Sequence, residues 1–184
     1  KIKFDIGSYV ISGESESEFP EIPKVEIKYE VEINSNLFER MIRKTIFAVS
    51  SGEVRSSLIG VYLQLLKNEL RAVSTDGHRL VKIENKSVKI DEDIGGFITS
   101  SKALYQFLKN KLGEGNIKIS VSDNYLKFDF DNYTVYSRLI EGTFPDYEKV
   151  IPKDNNYKLV VEKDLIESSI RRISIFANKV TQQI

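Results

Sequence analysis

The segment Asn36–Ser50, NLFERMIRKTIFAVS, returns later in the chain as Asp164–Asn178, DLIESSIRRISIFAN. Leu37, Glu39, Ile42 and Arg43 match Leu165, Glu167, Ile170 and Arg171. After a one-residue slip, Ile46-Phe47-Ala48 matches Ile175-Phe176-Ala177. A related boundary precedes each copy, Glu18-Phe-Pro-Glu21 in one case and Thr143-Phe-Pro-Asp146 in the other. Each boundary is followed by a second proline, Pro23 or Pro152, and by an extended apolar stretch. The period is roughly 125 to 129 residues, and self-similarity at a fixed period restricts the fold to copies of one unit.

A shorter period lies inside the longer one. INSN at Ile33–Asn36, ITSS at Ile98–Ser101 and VEKD at Val161–Asp164 each close an extended segment and open a helical pattern. They stand about 64 residues apart. A β-branched residue, then short polar residues, then periodic apolar positions predicts a strand running into a capped helix. Asn36 with Glu39, and Asp164 with Glu167, fit the capping-box pattern.

The three helices are amphipathic. In the first, Leu37, Phe38, Met41, Ile42 and Ile46 make the apolar stripe, with Arg40, Arg43 and Lys44 opposite. In the second, Leu104, Phe107 and Leu108 face inward while Lys102 and Lys109 share the outer side. In the third, Leu165, Ile170 and Ile173 are apolar and Arg171 and Arg172 polar. A charged outer face is the ordinary solvated side of a helix. Three such faces at a regular interval, each basic, weaken that ordinary reading.

Between the helices the pattern turns to period two. Ile59, Val61, Leu63 and Leu65 alternate with Gly60, Tyr62 and Gln64, and Lys67-Asn68 makes a turn. Leu70–Ser74 and Arg79–Ile83 form a second strand pair. Ile117–Val121, Tyr125–Phe130 and Thr134–Ile140 form a further run, with turns at Ser122–Asn124 and Asp131-Asn132. The expected class is α+β, with repeated strand–helix–strands units whose helices lie on one face of antiparallel sheets. Residues 1–28 read as the last strands of one unit, 29–148 as a complete unit, and 149–184 as the opening of a third. The repeat phase therefore predicts a piece of a longer array.

Composition removes several function classes. There is no cysteine, so disulfides and thiolate zinc sites are excluded. No apolar run reaches the length of a membrane span. The opening KIKFDIGSYV has no secretory pattern, and a cytoplasmic protein without membrane contact is expected. Lysine plus arginine equals aspartate plus glutamate, at 27 each, so any nucleic-acid binding must come from the layout of charge.

The single histidine sits in STDGHRL, Ser74–Leu80. Ser74, Asp76 and His78 alternate along one extended segment, which does not converge them as a proton relay requires. No spacing of His or carboxylates suggests a metal site, and no cofactor is expected. Asp-Gly between two strands is a hairpin signal, with His78 and Arg79 then beginning the next strand. The other candidate, TFPDYEKVIP at Thr143–Pro152, sits at the boundary between units and is too apolar, with Phe144 and Tyr147, for a plain linker. Clefts at such boundaries are common ligand sites.

On TDGHRL at Thr75–Leu80, FPDYEKVIP at Phe144–Pro152 and VRSSLIGVYLQ at Val54–Gln64, the chain resembles the bacterial sliding-clamp family, the β subunits of DNA polymerase III. The resemblance covers essentially the whole chain and implies the DNA-clamp fold. Residues 1–28 would end a first clamp domain, 29–148 form the second and 149–184 begin the third. It implies a processivity factor of chromosomal replication, with no catalytic residue of its own. By the resemblance, two three-domain chains would join head to tail into a ring around duplex DNA, read without regard to sequence. A hydrophobic pocket on that ring would receive short linear peptides from the replicative polymerase, the clamp loader and repair polymerases.

By motif match that pocket would use Leu58, Thr75, Gly77, His78, Arg79, Leu80, Pro145, Lys149 and Val150. Leu58, Leu80, Pro145 and Val150 would give an apolar floor. His78, Arg79 and the amides around Gly77 would fix the peptide's polar groups. Lys149 stands where the family often has arginine. The pocket also uses C-terminal residues beyond this chain, so a partial pocket with weakened affinity is expected. Lys102 occupies a DNA-contact position of the family. Arg40, Arg43, Lys44, Lys109, Arg171 and Arg172 are expected to face DNA on helical phase alone. The ring interface joins the first and third domains, so this chain by itself is expected to be monomeric. Two other readings compete: a small hydrolase centred on His78, and a repeat-built scaffold module with no nucleic-acid role.

Overall fold

Alternation in the sequence becomes two four-stranded antiparallel sheets and a separate hairpin. The computed structural model describes residues 2–52, 55–109 and 114–177. Val54 and Asn178, used in the sequence comparison above, lie outside them. The chain divides into two compact units, residues 1–145 and 146–184.

In the first unit, β1 (Ile2–Phe4) and β2 (Gly7–Tyr9) pair as an exposed hairpin. Then β3 (Tyr29–Asn34) runs into α1 (Ser35–Thr45), and a 3-10 turn follows at Ile46–Ala48. Three strands complete the half: β4 (Gly60–Leu66), β5 (Glu69–Thr75) and β6 (Leu80–Asn85). The same order recurs as β7 (Gly95–Ser100), α2 (Ser101–Lys109), β8 (Asn116–Val121), β9 (Tyr125–Asp129) and β10 (Thr134–Arg138).

The two halves exchange their first strands. One sheet runs β10-β9-β8-β3 and the other β6-β5-β4-β7. Thus β3 pairs with β8, from Tyr29 opposite Val121 to Asn34 opposite Asn116, and β7 pairs with β4. Gly60, opposite Ser100, sits where the strands approach closely. A Cβ there would come within 2.5 Å of the Thr99 carbonyl oxygen.

Helix α1 packs on β3, β5 and β6, and α2 on β7 and β10. The helices touch each other through Phe38 and Phe107, whose ring centroids lie 6.0 Å apart. Phe128 closes the cluster, 5.8 Å from Phe38 and 4.9 Å from Phe107. Val61, Leu63 and Leu65 of β4, Ile117 and Ile119 of β8, and Met41 and Ile42 of α1 join the same core. Burying such side chains contributes about 1.5–3 kcal/mol each.

Helix starts differ from the expected caps. Asn34, not Asn36, caps α1: its side-chain oxygen accepts from the Leu37 amide at 3.1 Å. The strand ends two residues earlier than the motif suggested, so Asn36 already lies inside the first turn. Helix α3 (Lys163–Ser174), in the second unit, is preceded by Glu162 with no side-chain cap, and Asp164 lies in its first turn. None of the α3 side chains is buried, and the unit opens with a 3-10 turn at Tyr147–Lys149.

Candidate functional site

Strands β5 and β6 pair from Leu70 opposite Asn85 to Thr75 opposite Leu80, which leaves Asp76–Arg79 as a four-residue loop. His78 and Arg79 therefore belong to the turn and do not begin the strand as the Asp-Gly signal suggested. The reason is the Asp76 carboxylate. Its Oδ1 accepts from the amides of His78 and Arg79, both at 3.0 Å, an Asx-type closure that competes with the ladder. Gly77 supplies the positive φ, +91°, that the loop needs.

Thr75 completes the loop by accepting from the Gly77 amide at 3.1 Å and donating to the Arg79 carbonyl at 2.7 Å. The Arg79 and His78 amides, with the Arg79 guanidinium at 2.9 Å, hold the Asp76 carboxyl below the usual aspartate range. The amides expected to fix a peptide are thus engaged within the loop. His78 is exposed at its tip.

Ser74 is fully buried, and its hydroxyl donates to the Thr45 carbonyl at 2.6 Å. It points into the core as a tie to the end of α1, away from any relay with His78. Among the described residues no group of three or more His, Asp or Glu side chains could hold a metal ion.

Leu58, 5% exposed, ends a 3-10 turn at Ser56–Leu58, and its carbonyl accepts from the Ser50 amide at 2.9 Å. The segment Thr45–Ser50 thereby bonds Leu58 on one side and, through Thr45 and Phe47, the β5–β6 hairpin on the other. So Leu58 and Arg79 both bond the segment that follows α1. Phe47, in that segment, is 52% exposed, with the Arg79 guanidinium 5.6 Å from its ring centroid. Sequence reasoning did not assign it. Its signal was the apolar residue at the tail of the helical repeat, matched by Phe176.

Pro145 is exposed at the end of the first unit, beside Phe144, which is buried and stacked on Tyr62 at 4.7 Å. Lys149 and Val150 belong to the second unit. Lys149 donates to Asp146 at 2.8 Å, a bond that raises the lysine pKa and lowers the aspartate's. Val150 is exposed.

The cationic side chains of the three helices are exposed, on α3 together with its apolar residues. Arg40, Arg43 and Lys44 are exposed on α1, Lys102 and Lys109 on α2, Arg171 and Arg172 on α3. Their freedom differs. Arg43 pairs with Glu39, Arg171 with Glu167 at 2.7 Å, and Arg172 donates to the Ser169 hydroxyl at 3.2 Å. Lys102 lies in the first turn of α2, which has no acidic residue. A cation there opposes the helix dipole, so local stability does not explain it. Helices α1 and α2 touch each other and share one core.

The strand–helix–three-strand unit, doubled with exchanged strands, is the fold of the DNA sliding clamps. The Bacillus subtilis sliding clamp superposes with a TM-score of 0.82 at 29% identity, over 89% of this chain and 43% of that one. The Pseudomonas aeruginosa polymerase III subunit beta gives a TM-score of 0.84 at 25% identity, over 89% and 46%. The beta sliding clamp of Rickettsia bellii is 36% identical over 164 residues, 85% of this chain and 42% of the relative. Residues 32–146 match the family model of the DNA polymerase III beta subunit, central domain. The chain belongs to the DNA polymerase III beta-subunit family. It spans less than half the length of the relatives named here.

Proposed function

We propose that this chain is the middle part of a bacterial sliding clamp, a processivity factor that encircles duplex DNA and tethers the replicative polymerase. On this reading residues 1–28 close clamp domain one, 29–148 make domain two and 149–184 begin domain three. The match of residues 32–146 to the family's central domain carries the proposal. The work is mechanical and carries no catalytic residue. Helices lining a ring cross phosphate backbones without reading bases, so affinity stays low and uniform while topology provides retention.

Peptide partners, namely the polymerase catalytic subunit, the clamp loader and repair polymerases, would dock at Leu58, Thr75, Gly77–Leu80, Pro145, Lys149 and Val150. Leucine or phenylalanine anchors suit the apolar residues of that set. The protein would act in the cytoplasm; among the described residues no helix is long and apolar enough to cross a membrane.

Two measurements test the reading. Titration of the chain with a Gln-Leu-x-Leu-Phe peptide should shift the His78 amide; no shift there would reject the docking site. A full-length parent loaded on DNA should stay on circular duplex and leave linear duplex. Equal retention on both would reject a topological clamp in favour of a scaffold. A hydrolase would instead lose turnover on His78→Ala, and Ser74, committed to Thr45, gives it no nucleophile.

A further inference from the structure

The docking loop is tied down from outside as well as from within. Arg79 reaches beyond its own hairpin: Nε donates to Asp76 Oδ2 at 2.9 Å while Nη2 donates to the Phe47 carbonyl at 3.0 Å. The same guanidinium lies over the Phe47 ring. That carbonyl belongs to the 3-10 turn ending α1, where backbone oxygens lack helical partners and the dipole favours a cation.

An arginine at an exposed loop ordinarily samples many rotamers, and holding it costs side-chain entropy. Here two charge-assisted bonds and a ring face hold one arrangement. A peptide approaching this loop meets an arginine already held at Nε and Nη2.

We infer that Asp76 and Arg79 are positioning residues of the docking loop, fixing it on Phe47 at the end of α1 in the shape that receives a partner peptide. The inference rests on the docking reading proposed above. Arg79 acts through the loop by joining Asp76 to Phe47. Breaking the tie leaves fewer loops in the receptive shape, and apparent affinity falls by that fraction. The loss appears as slower association, because the peptide still leaves from the same bound state. Removal of a direct contact would appear as faster dissociation.

The test compares the 184-residue chain with Asp76→Asn, Asp76→Ala and Arg79→Lys. Amide hydrogen exchange at His78 and Arg79 is measured without ligand, and association and dissociation rates with a Gln-Leu-x-Leu-Phe peptide. Asp76→Ala should raise exchange at both amides and weaken binding about tenfold, through association. Asp76→Asn keeps an acceptor for the amides and should fall between it and wild type. Arg79→Lys, unable to span Asp76 and Phe47 together, should behave like Asp76→Asn. Unchanged exchange in all three variants, or faster dissociation in Arg79→Lys, would overturn the inference. A wild-type chain whose loop amides are protected but which takes no peptide would overturn the docking reading instead, and the inference with it.

Discussion

Asn34 holds two elements together. Its side-chain oxygen caps α1, and its side-chain amide donates to the Gly115 carbonyl beside β8. Asn34→Ala should cost about 1 kcal/mol, read from thermal or urea unfolding, since a cap truncation leaves a helix amide unsatisfied. Asn36→Ala should cost much less, which separates the observed cap from the one the capping-box pattern suggested. Asp76 gives the residue scale a pH dependence. Its folded pKa is depressed below the ordinary aspartate value of 3.8. The carboxylate therefore stabilises the loop fully above that value, and the contribution is lost as pH falls through the depressed one. Amide exchange at His78 and Arg79, corrected for intrinsic rates, should lose protection only below about pH 4. Loss already near pH 6 would place the controlling group elsewhere.

Among the elements, the strand–helix–strands unit was legible because each part carries its own period. Val61, Leu63 and Leu65 alternate, and Phe38, Met41 and Ile42 recur at helical spacing, and both sets are buried. The exchange of β3 and β7 was not legible. Tyr29–Asn34 has the same alternation whichever strand it joins, and pairing with β8 rather than β4 is decided by contacts far apart in the chain. The turn holding Phe47 also escaped, because three residues of 3-10 helix carry no periodic signal. At the site, TDGHRL was legible as a turn, while its four-residue length depends on what the Asp76 side chain bonds. The exchange makes both halves share one core. Phe107 of α2 touches Phe38 of α1 and Phe128 and Phe130 of the second half. Phe107→Ala should cost about 3–5 kcal/mol and unfold the two halves in a single transition. Two separate transitions by calorimetry would show that the halves are independent folding units.

At the scale of the molecule, 27 basic and 27 acidic side chains cancel, so the proposed DNA binding would depend on which cations are free. Among the described residues Arg40, Lys44, Lys102 and Lys109 have no ion-pair partner, whereas Arg43 and Arg171 are paired along their own helices. A phosphate must compete with Glu39 or Glu167 for the paired arginines, but only with water for the free cations. The free set on α1 and α2 should therefore dominate. Binding of the chain to a short linear duplex should be weak, indifferent to base sequence and steeply salt-dependent. Each of Arg40→Ala, Lys44→Ala and Lys102→Ala that removes a phosphate contact should lower the slope of log K against log salt by about 0.9. Arg43→Ala should change it less. Fluorescence anisotropy across a salt series reads the slopes directly. An unchanged slope in the Arg40→Ala, Lys44→Ala, Lys102→Ala triple variant would exclude α1 and α2 as the DNA-binding helices. Light scattering on the same samples should report a monomer, because the ring proposed for the parent closes between its first and third domains. A stable closed dimer would contradict that interface, and would make retention on circular DNA possible for this chain alone.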